Sequence, residues 1–512
     1  MKIKLLLLCL VLAAPVPVAL AQPAPASKPA GQKDLDPAKL TEAQIKQVEV
    51  PAVLGRLAGL YQEKEDMRRL TWTLERLSQL RPSSGEVKLA LAAAYANLDD
   101  KSRAYDVLLK MQQQGFGYNL ADDPRFKKVS DTRVWTYAVE NLRANLKPFG
   151  EGKIAFSLPK GDYLFESVGW DPKRKQFLFG SVREGKVYLA DDKGKLTEFI
   201  APSAQNGLWG IHGLAVDAER DALYVASTSS VYYKGFKADD NGRAGVFKFK
   251  LSTGAFVEKY LLPEAGAPHT LSSVIVSRKG QVFATDGVKN LLFRLEGKNL
   301  KPLLDGSRLT SLRGVTVSDD GKLLYYADFT HGIAGLDLTT GKGFGLAFDP
   351  SLLVLSGIEG LYWYDGTLIA IEPGMSPKRV LRLHLTPDGK GITKVMPIDA
   401  AKPEFDFPTV GVIADDALYF IADSRRTHYD AYGVAKDPAA LAPLQIYRSD
   451  ARFAWDQKGI AVSGSVRELA PAPASGRSLD ESGVTFTAPK TAPEKKTEKS
   501  ELEKALDQKG GD

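Results

Sequence analysis

The sequence predicts a multidomain chain, a short array of paired helices followed by an all-β six-bladed propeller, and two patterns carry that prediction. Before Pro148 apolar residues recur at spacings of three and four, the periodicity of amphipathic helices. After it, short runs of Val, Ile, Phe, Tyr and Leu alternate with DP, DG and KG turns, and one strand, turn and returning strand recur six times. The length of 512 residues exceeds the roughly 100–200 of a single domain. An apolar fraction of 44% with 25% charged residues is ordinary for globular proteins. Lys+Arg of 68 against Asp+Glu of 62 leaves a charge of +6 with no clustered basic stripe, so nucleic acid is a poor partner.

Residues 1–21 have the layout of a secretory signal peptide: Lys2 and Lys4, the apolar run Leu5 to Leu12, and small residues converging on Ala19-Leu20-Ala21 before Gln22. The expected product is exported to a periplasmic or extracellular space. Cys9 is the one cysteine and lies inside this segment, too early and after the wrong residue, Leu8, for a lipoprotein site. The mature chain then has no disulfide and no thiolate metal site. No later stretch reaches the roughly 18 apolar residues of a membrane span.

Residues 22–37 are a Pro/Ala-rich linker, and residues 38–148 form the helical domain. LAGLYQEKEDMRRLTWTLERLSQLRP aligns with LALAAAYANLDDKSRAYDVLLKMQQQGF, placing Tyr61 on Tyr95, Leu70 on Ala104 and Leu74 on Leu108. That period of about 34 residues is the tetratricopeptide one, and the region resembles a short tetratricopeptide array. The helices of DTRVWTYAVENLRANL and of Lys39 to Val48 would cap it. A plain bundle of helical hairpins is the alternative.

Residues 149–450 hold the six phrases, anchored on Phe177, Leu223, Val282, Leu324, Leu368 and Leu418. Each supplies the inner two strands of a blade, with a long β-sandwich as the alternative. Residues 451–512 are Pro-, Ser- and Lys-rich and are expected to be a disordered tail.

In a propeller the strand lining the channel starts on one face and the next strand returns to it. Two positions per blade therefore ring the mouth. Counting back from each anchor gives the starts Glu166, His212, Ser272, Arg313, Glu359 and Thr409, and counting forward gives the returns Ser181, Ser227, Asp286, Asp328, Glu372 and Asp423. Half of these are carboxylates, an acidic ring of oxygen donors suited to a hard cation such as Ca²⁺.

LFESVGWDPKRKQFLFGSVREGKVYLADDKG, VSDDGKLLYYAD and GIEGLYWYDGTLIAIEPG with KRVLRLHL are similar to the regucalcin and gluconolactonase family of six-bladed propellers. The resemblance implies a divalent cation at the mouth that polarises a lactone or ester carbonyl, with Glu166 and Asp328 as metal ligands. Two positions depart from the family pattern. Ser272 stands where an Asn ligand is expected, and Arg313 replaces an uncharged Asn. Arg313 would repel a cation and instead grip a carboxylate or phosphate in a fork. His212 is a candidate general base, and Arg313, Glu359, Glu372 and Ser272 are candidate ligand-binding residues.

Other chemistry is thin. His269, His331, His384 and His428 lack zinc-ligand spacing. GLDLTTGKG lacks the spacing of a phosphate loop, and in KADDNGRAG Lys237 stands where a calcium loop needs its first ligand. Trp209 beside Gly207 and Gly210, with Tyr232 and Tyr233, reads as core packing or a sugar platform. The expected function is binding of a small anionic or sugar-acid ligand at the mouth, with the helices docking a protein or peptide. The alternative is a cation-dependent lactone or ester hydrolase.

Overall fold

The computed structural model describes residues 36–263, 268–304, 309–454 and 459–462. The expected signal peptide, nearly all of the linker and most of the tail lie outside them. None of the described helices is long and apolar enough to cross a membrane.

Six helices precede the strands: α1 Glu42–Lys46, α2 Pro51–Glu63, α3 Met67–Leu80, α4 Gly85–Asn97, α5 Lys101–Gln113 and α6 Arg133–Ala144. The repeat is visible atom by atom. Glu65 and Asp99 both adopt positive φ, 54° and 60°, at the turns inside the two hairpins. The next residues, Asp66 and Asp100, cap α3 and α5 by accepting from the backbone N–H of Arg69 and Arg103. Their own N–H groups donate to Tyr61 O and Tyr95 O, each at 2.9 Å. Tyr61, Leu70, Leu74, Tyr95, Ala104 and Leu108, the aligned apolar positions, are all buried. Thr41 forms a reciprocal capping box with Gln44 at α1, and Thr132 caps α6, so the flanking helices stand where the sequence places them.

Six antiparallel sheets follow, and their inner strands are Phe165–Asp171, Gly210–Asp217, Leu271–Val276, Leu312–Val317, Gly360–Tyr364 and Gly411–Ala414. Each packs against the next, and Gly411–Ala414 returns to Phe165–Asp171, closing the ring. Every inner strand pairs with the second strand expected from its phrase. The six connecting turns each place at least one residue at positive φ, namely Lys175, Asp221, Gly280, Gly321, Asp365 with Gly366, and Asp415. The polar turn phrases supply that conformation.

Two strands lie where the sequence did not put them. Lys153–Leu158, first in the β region, is the outer strand of the last blade and pairs with Leu444–Asp450. Hydrogen bonding between the two ends of the propeller thus locks the ring. Ile460–Ala461, inside the expected tail, adds a fifth strand to blade 5 against Lys394 and Val395, and Val462 beside it is fully buried.

The helical module is docked on blade 5. Gly117 N–H donates to Ser376 O at 2.8 Å, and Gln114 Nε2 donates to Pro350 O at 2.7 Å. Val354 and Met375 complete the helical core. Pro350 and Val354 lead into the inner strand of blade 5, and Met375 and Ser376 follow its second strand, Thr367–Glu372. Both segments belong to the face where inner strands begin, so the helices sit on the mouth side.

Candidate functional site at the channel mouth

All six expected start positions, Glu166, His212, Ser272, Arg313, Glu359 and Thr409, line one cavity that runs along the propeller axis. Its volume of about 1850 Å³ exceeds the roughly 300–1,000 Å³ of small-ligand pockets. Polar groups rather than size therefore locate the site. Four of the six residues owe their place to an irregularity in pairing. The register of the inner strand breaks between Phe165 and Ser167, Ile211 and Gly213, Leu271 and Ser273, and Leu312 and Val315. Glu166, His212, Ser272 and Arg313 occupy those breaks, outside the ladder, where a bulge re-aims a side chain. Two residues further along five of the six strands the wall becomes apolar, through Val168, Leu214, Val274, Val315 and Leu361. The mouth is thus a polar ring above a greasy shaft.

The charges of the ring are organised in pairs. Arg426, on the 3₁₀ turn Arg425–His428 after the last return, donates to Glu166 Oε2 at 2.9 Å. Arg313 Nε lies 3.2 Å from Glu359 Oε1 without hydrogen-bond geometry. Burial raises the Glu359 carboxyl above its ordinary value, against the pull of Arg313 and Arg426 and with a push from Glu166. Burial also pulls the His212 imidazole down to about 3, helped by the positive charge of Arg426. His212 is therefore neutral at physiological pH and a weak base, which removes the basis on which it was singled out for proton transfer. Three buried atoms of the ring have no hydrogen-bond partner among the described residues: Glu166 Oε1, His212 Nε2 and Arg313 Nε. The hydroxyl of Ser272 is engaged with Thr285 Oγ1 at 3.0 Å.

Of the returns, only Asp423 lines the cavity. Asp328, a candidate metal ligand, is 1% exposed. Its carboxylate accepts from the backbone N–H of Thr310, Ser311, Thr330 and His331, at 2.7 to 2.9 Å. Asp286 is used in the same way by Thr270, Val288 and Lys289, and also meets His269 Nδ1 at 2.6 Å. Ser181 and Ser227 accept from the backbone N–H of Glu184 and Trp209. Glu372, a candidate for ligand binding, is sealed against Arg379 instead. For the two Asp and two Ser residues the reason is shared: the residue ending a returning strand faces the loops on either side of the blade, whose free N–H groups claim its oxygens. Glu372 is claimed instead by a side chain, that of Arg379.

The divalent cation implied by the family resemblance does not fit these residues. Glu166 has given one oxygen to Arg426, Asp328 has none to spare, and the Arg313 guanidinium stands in the ring. Among the described residues no three His, Cys, Asp or Glu side chains converge as a metal site. Sequence reasoning missed Arg426, Asp406 and Phe407, and it also missed Pro51 and Arg81 of the helical module, which line the same cavity. For Arg426 a signal existed in the SRRTH run directly after Asp423. For Pro51 and Arg81 none did, since their place depends on docking.

No family model matches the chain, and no curated protein matches it. Among solved structures it is similar to a PQQ-bound aldose sugar dehydrogenase from Streptomyces coelicolor, at 14% identity and a TM-score of 0.40, over 59% of this chain and 99% of that one. It is similar to a gluconolactonase from Xanthomonas campestris at 13% identity and a TM-score of 0.39, over 60% of this chain and 92% of that one. A virginiamycin B lyase from Staphylococcus aureus matches at 11% identity and a TM-score of 0.37, over 59% of this chain and 99% of that one. Likenesses at this level say nothing about the site. The six-bladed fold rests on the strand order and closure of this chain, and it carries a helical module on its mouth.

Proposed function

We propose that the mouth binds a small polyhydroxylated organic acid of the sugar-acid class. The observation that carries this reading is the set of buried atoms on the ring without a hydrogen-bond partner among the described residues, Glu166 Oε1, His212 Nε2 and Arg313 Nε. Buried polar groups are costly without partners. A ligand with hydroxyls beside a carboxylate answers each of them. The carboxylate takes the guanidinium fork of Arg313, one hydroxyl donates to Glu166, and another meets the neutral imidazole of His212. The weak basicity of His212 and the poor fit of a cation favour capture over hydrolysis.

Titration calorimetry of the full mature chain with D-gluconate tests the reading. We expect Arg313→Ala to weaken binding by about 1.5–3 kcal/mol, the worth of a charge-assisted hydrogen bond. Absence of binding by the unmodified chain, an Arg313→Ala affinity within about twofold of it, or chelator-sensitive turnover of a lactone panel would overturn the reading.

Export to a periplasmic or extracellular space is part of the proposal. Its support is the layout from Lys2 to Ala21, and N-terminal sequencing of secreted protein should find Gln22 first. For a protein or peptide partner on the helices, the support is the repeat pattern alone.

A further inference from the structure

The lip of the cavity carries a cation that the propeller does not supply. Arg81 is the C-cap of α3 and lines the mouth beside Pro51, the first residue of α2. The antiparallel packing of α2 on α3 brings these two ends together. The backbone of Arg81 is fully engaged, its N–H donating to Leu77 O at 2.8 Å and its carbonyl accepting from Ser84 N–H at 3.0 Å. Its side chain is not: it makes no hydrogen bond or ion pair among the described residues, and Nε is buried. Here it differs from the other guanidinium groups of the mouth. Arg426 is bonded to Glu166 and Arg313 faces Glu359.

The placement of Arg81 is not that of a tethered arm. Besides the bonds of Gln114 and Gly117, Arg379 Nη1 of blade 5 donates to Gln114 O at 2.8 Å. Val354 and Met375 of the propeller are part of the helical core. Docking of the helices therefore fixes an unpaired, always-charged, fork-shaped donor in the wall of the cavity that the polar ring also lines. A buried donor left unpaired is costly, and one in the wall of a cavity is placed to take a partner from a ligand.

We infer that the helical module roofs the ligand site and that Arg81 holds a second anionic group of the ligand whose first is held at Arg313. The ligand class is then a sugar acid with acidic groups at both ends, rather than an aldonic acid with one. This inference rests on the sugar-acid reading above and adds to it the size and charge of what is bound.

The test is titration of the full chain and its variants with D-gluconate, which has one carboxylate, and D-glucarate, which has two. The unmodified chain should prefer D-glucarate. Arg81→Ala should weaken D-glucarate by at least about tenfold, as loss of a charge-assisted fork does, and leave D-gluconate within about twofold. Arg81→Lys, which keeps the charge without the fork, should fall between. Because the Arg81 side chain makes no hydrogen bond or ion pair among the described residues, its removal should shift the melting temperature little, and that measurement separates a binding loss from misfolding. An Arg81→Ala affinity for D-glucarate within about twofold of the unmodified chain, or an equal loss for both acids, overturns the inference while leaving the Arg313 site standing. Failure of both acids to bind the unmodified chain brings down the sugar-acid reading and this inference with it.

Discussion

Glu372 and Arg379 meet in full burial on blade 5, where Arg379 also reaches across to Gln114. Burial pushes the Glu372 carboxyl up from 4.5 to about 7, against the pull of Arg379. A group raised on folding contributes stability that is complete below its unfolded value and is lost as pH rises through the folded one. For Glu372 that loss runs between about pH 4.5 and 7. At about 1.4 kcal/mol per pKa unit, it amounts to at most about 3.5 kcal/mol. His212 and His384 act in the opposite sense, since burial pulls them down to about 3 and about 4. Their contributions are complete above the unfolded histidine value of 6.5 and are lost as pH falls below it. The melting temperature of the unmodified protein should therefore fall across the upper part of the Glu372 window, from about pH 6.5 to 7, while Glu372→Gln stays nearly flat there. An equally steep fall in Glu372→Gln would assign the titration to another group. At this scale the sequence is informative about position and poor about environment. The six start residues could be counted from the turn phrases, but the weakness of His212 as a base could not, because it depends on burial and on Arg426.

Loops between strands are organised by the acids that end the returning strands. The run DFTHG after the second strand of blade 4 shows how. Asp328 accepts from Thr330 and His331 on its own loop and from Thr310 and Ser311 on the loop entering the blade. One side chain thus ties two chain segments together. Asp328→Ala would strand four backbone N–H donors on part-buried loops, at about 1–3 kcal/mol for a lost partner where water does not replace it. We expect destabilisation of about 2–4 kcal/mol in chemical denaturation, with Asp328→Asn milder because its amide oxygen still accepts. A metal ligand would behave otherwise: added Ca²⁺ would stabilise the unmodified chain and not Asp328→Ala. Equal stability of the two variants and a Ca²⁺-dependent midpoint would overturn the structural role. The blades themselves were legible because each carries its own turn phrase. The bulges at Glu166, His212, Ser272 and Arg313 were not, because a register break has no fixed residue signature and shows only against the partner strand.

At the scale of the whole molecule, the first strand of the β region and the last described strand act as fasteners. Lys153–Leu158 closes the ring through the last blade, and Ile460–Ala461 widens blade 5 after the chain has left the propeller. Neither could be read from local pattern, since a strand's blade is decided by partners some 290 residues distant in one case and about 65 in the other. The C-terminal fastener yields the sharpest test of where the folded body stops. Val462 is fully buried, its N–H donates to Thr393 O at 3.1 Å and its carbonyl accepts from Asp349 N–H at 2.9 Å. A chain cut after Ala454 loses these bonds, the strand Ile460–Ala461 and the buried Val462 side chain, which alone is worth about 1.5 kcal/mol or more. It also uncovers the apolar cluster that Val462 shares with Leu346, Leu353 and Ile392, on the segment that leads toward the helical docking site. A chain cut just after Val462 keeps all of this. Of the two truncations, the longer should melt with the full chain and the shorter several degrees below it. Coincident melting of both would show that the strand on blade 5 adds nothing to the fold, and a loss in the longer one would place folded structure further along the chain.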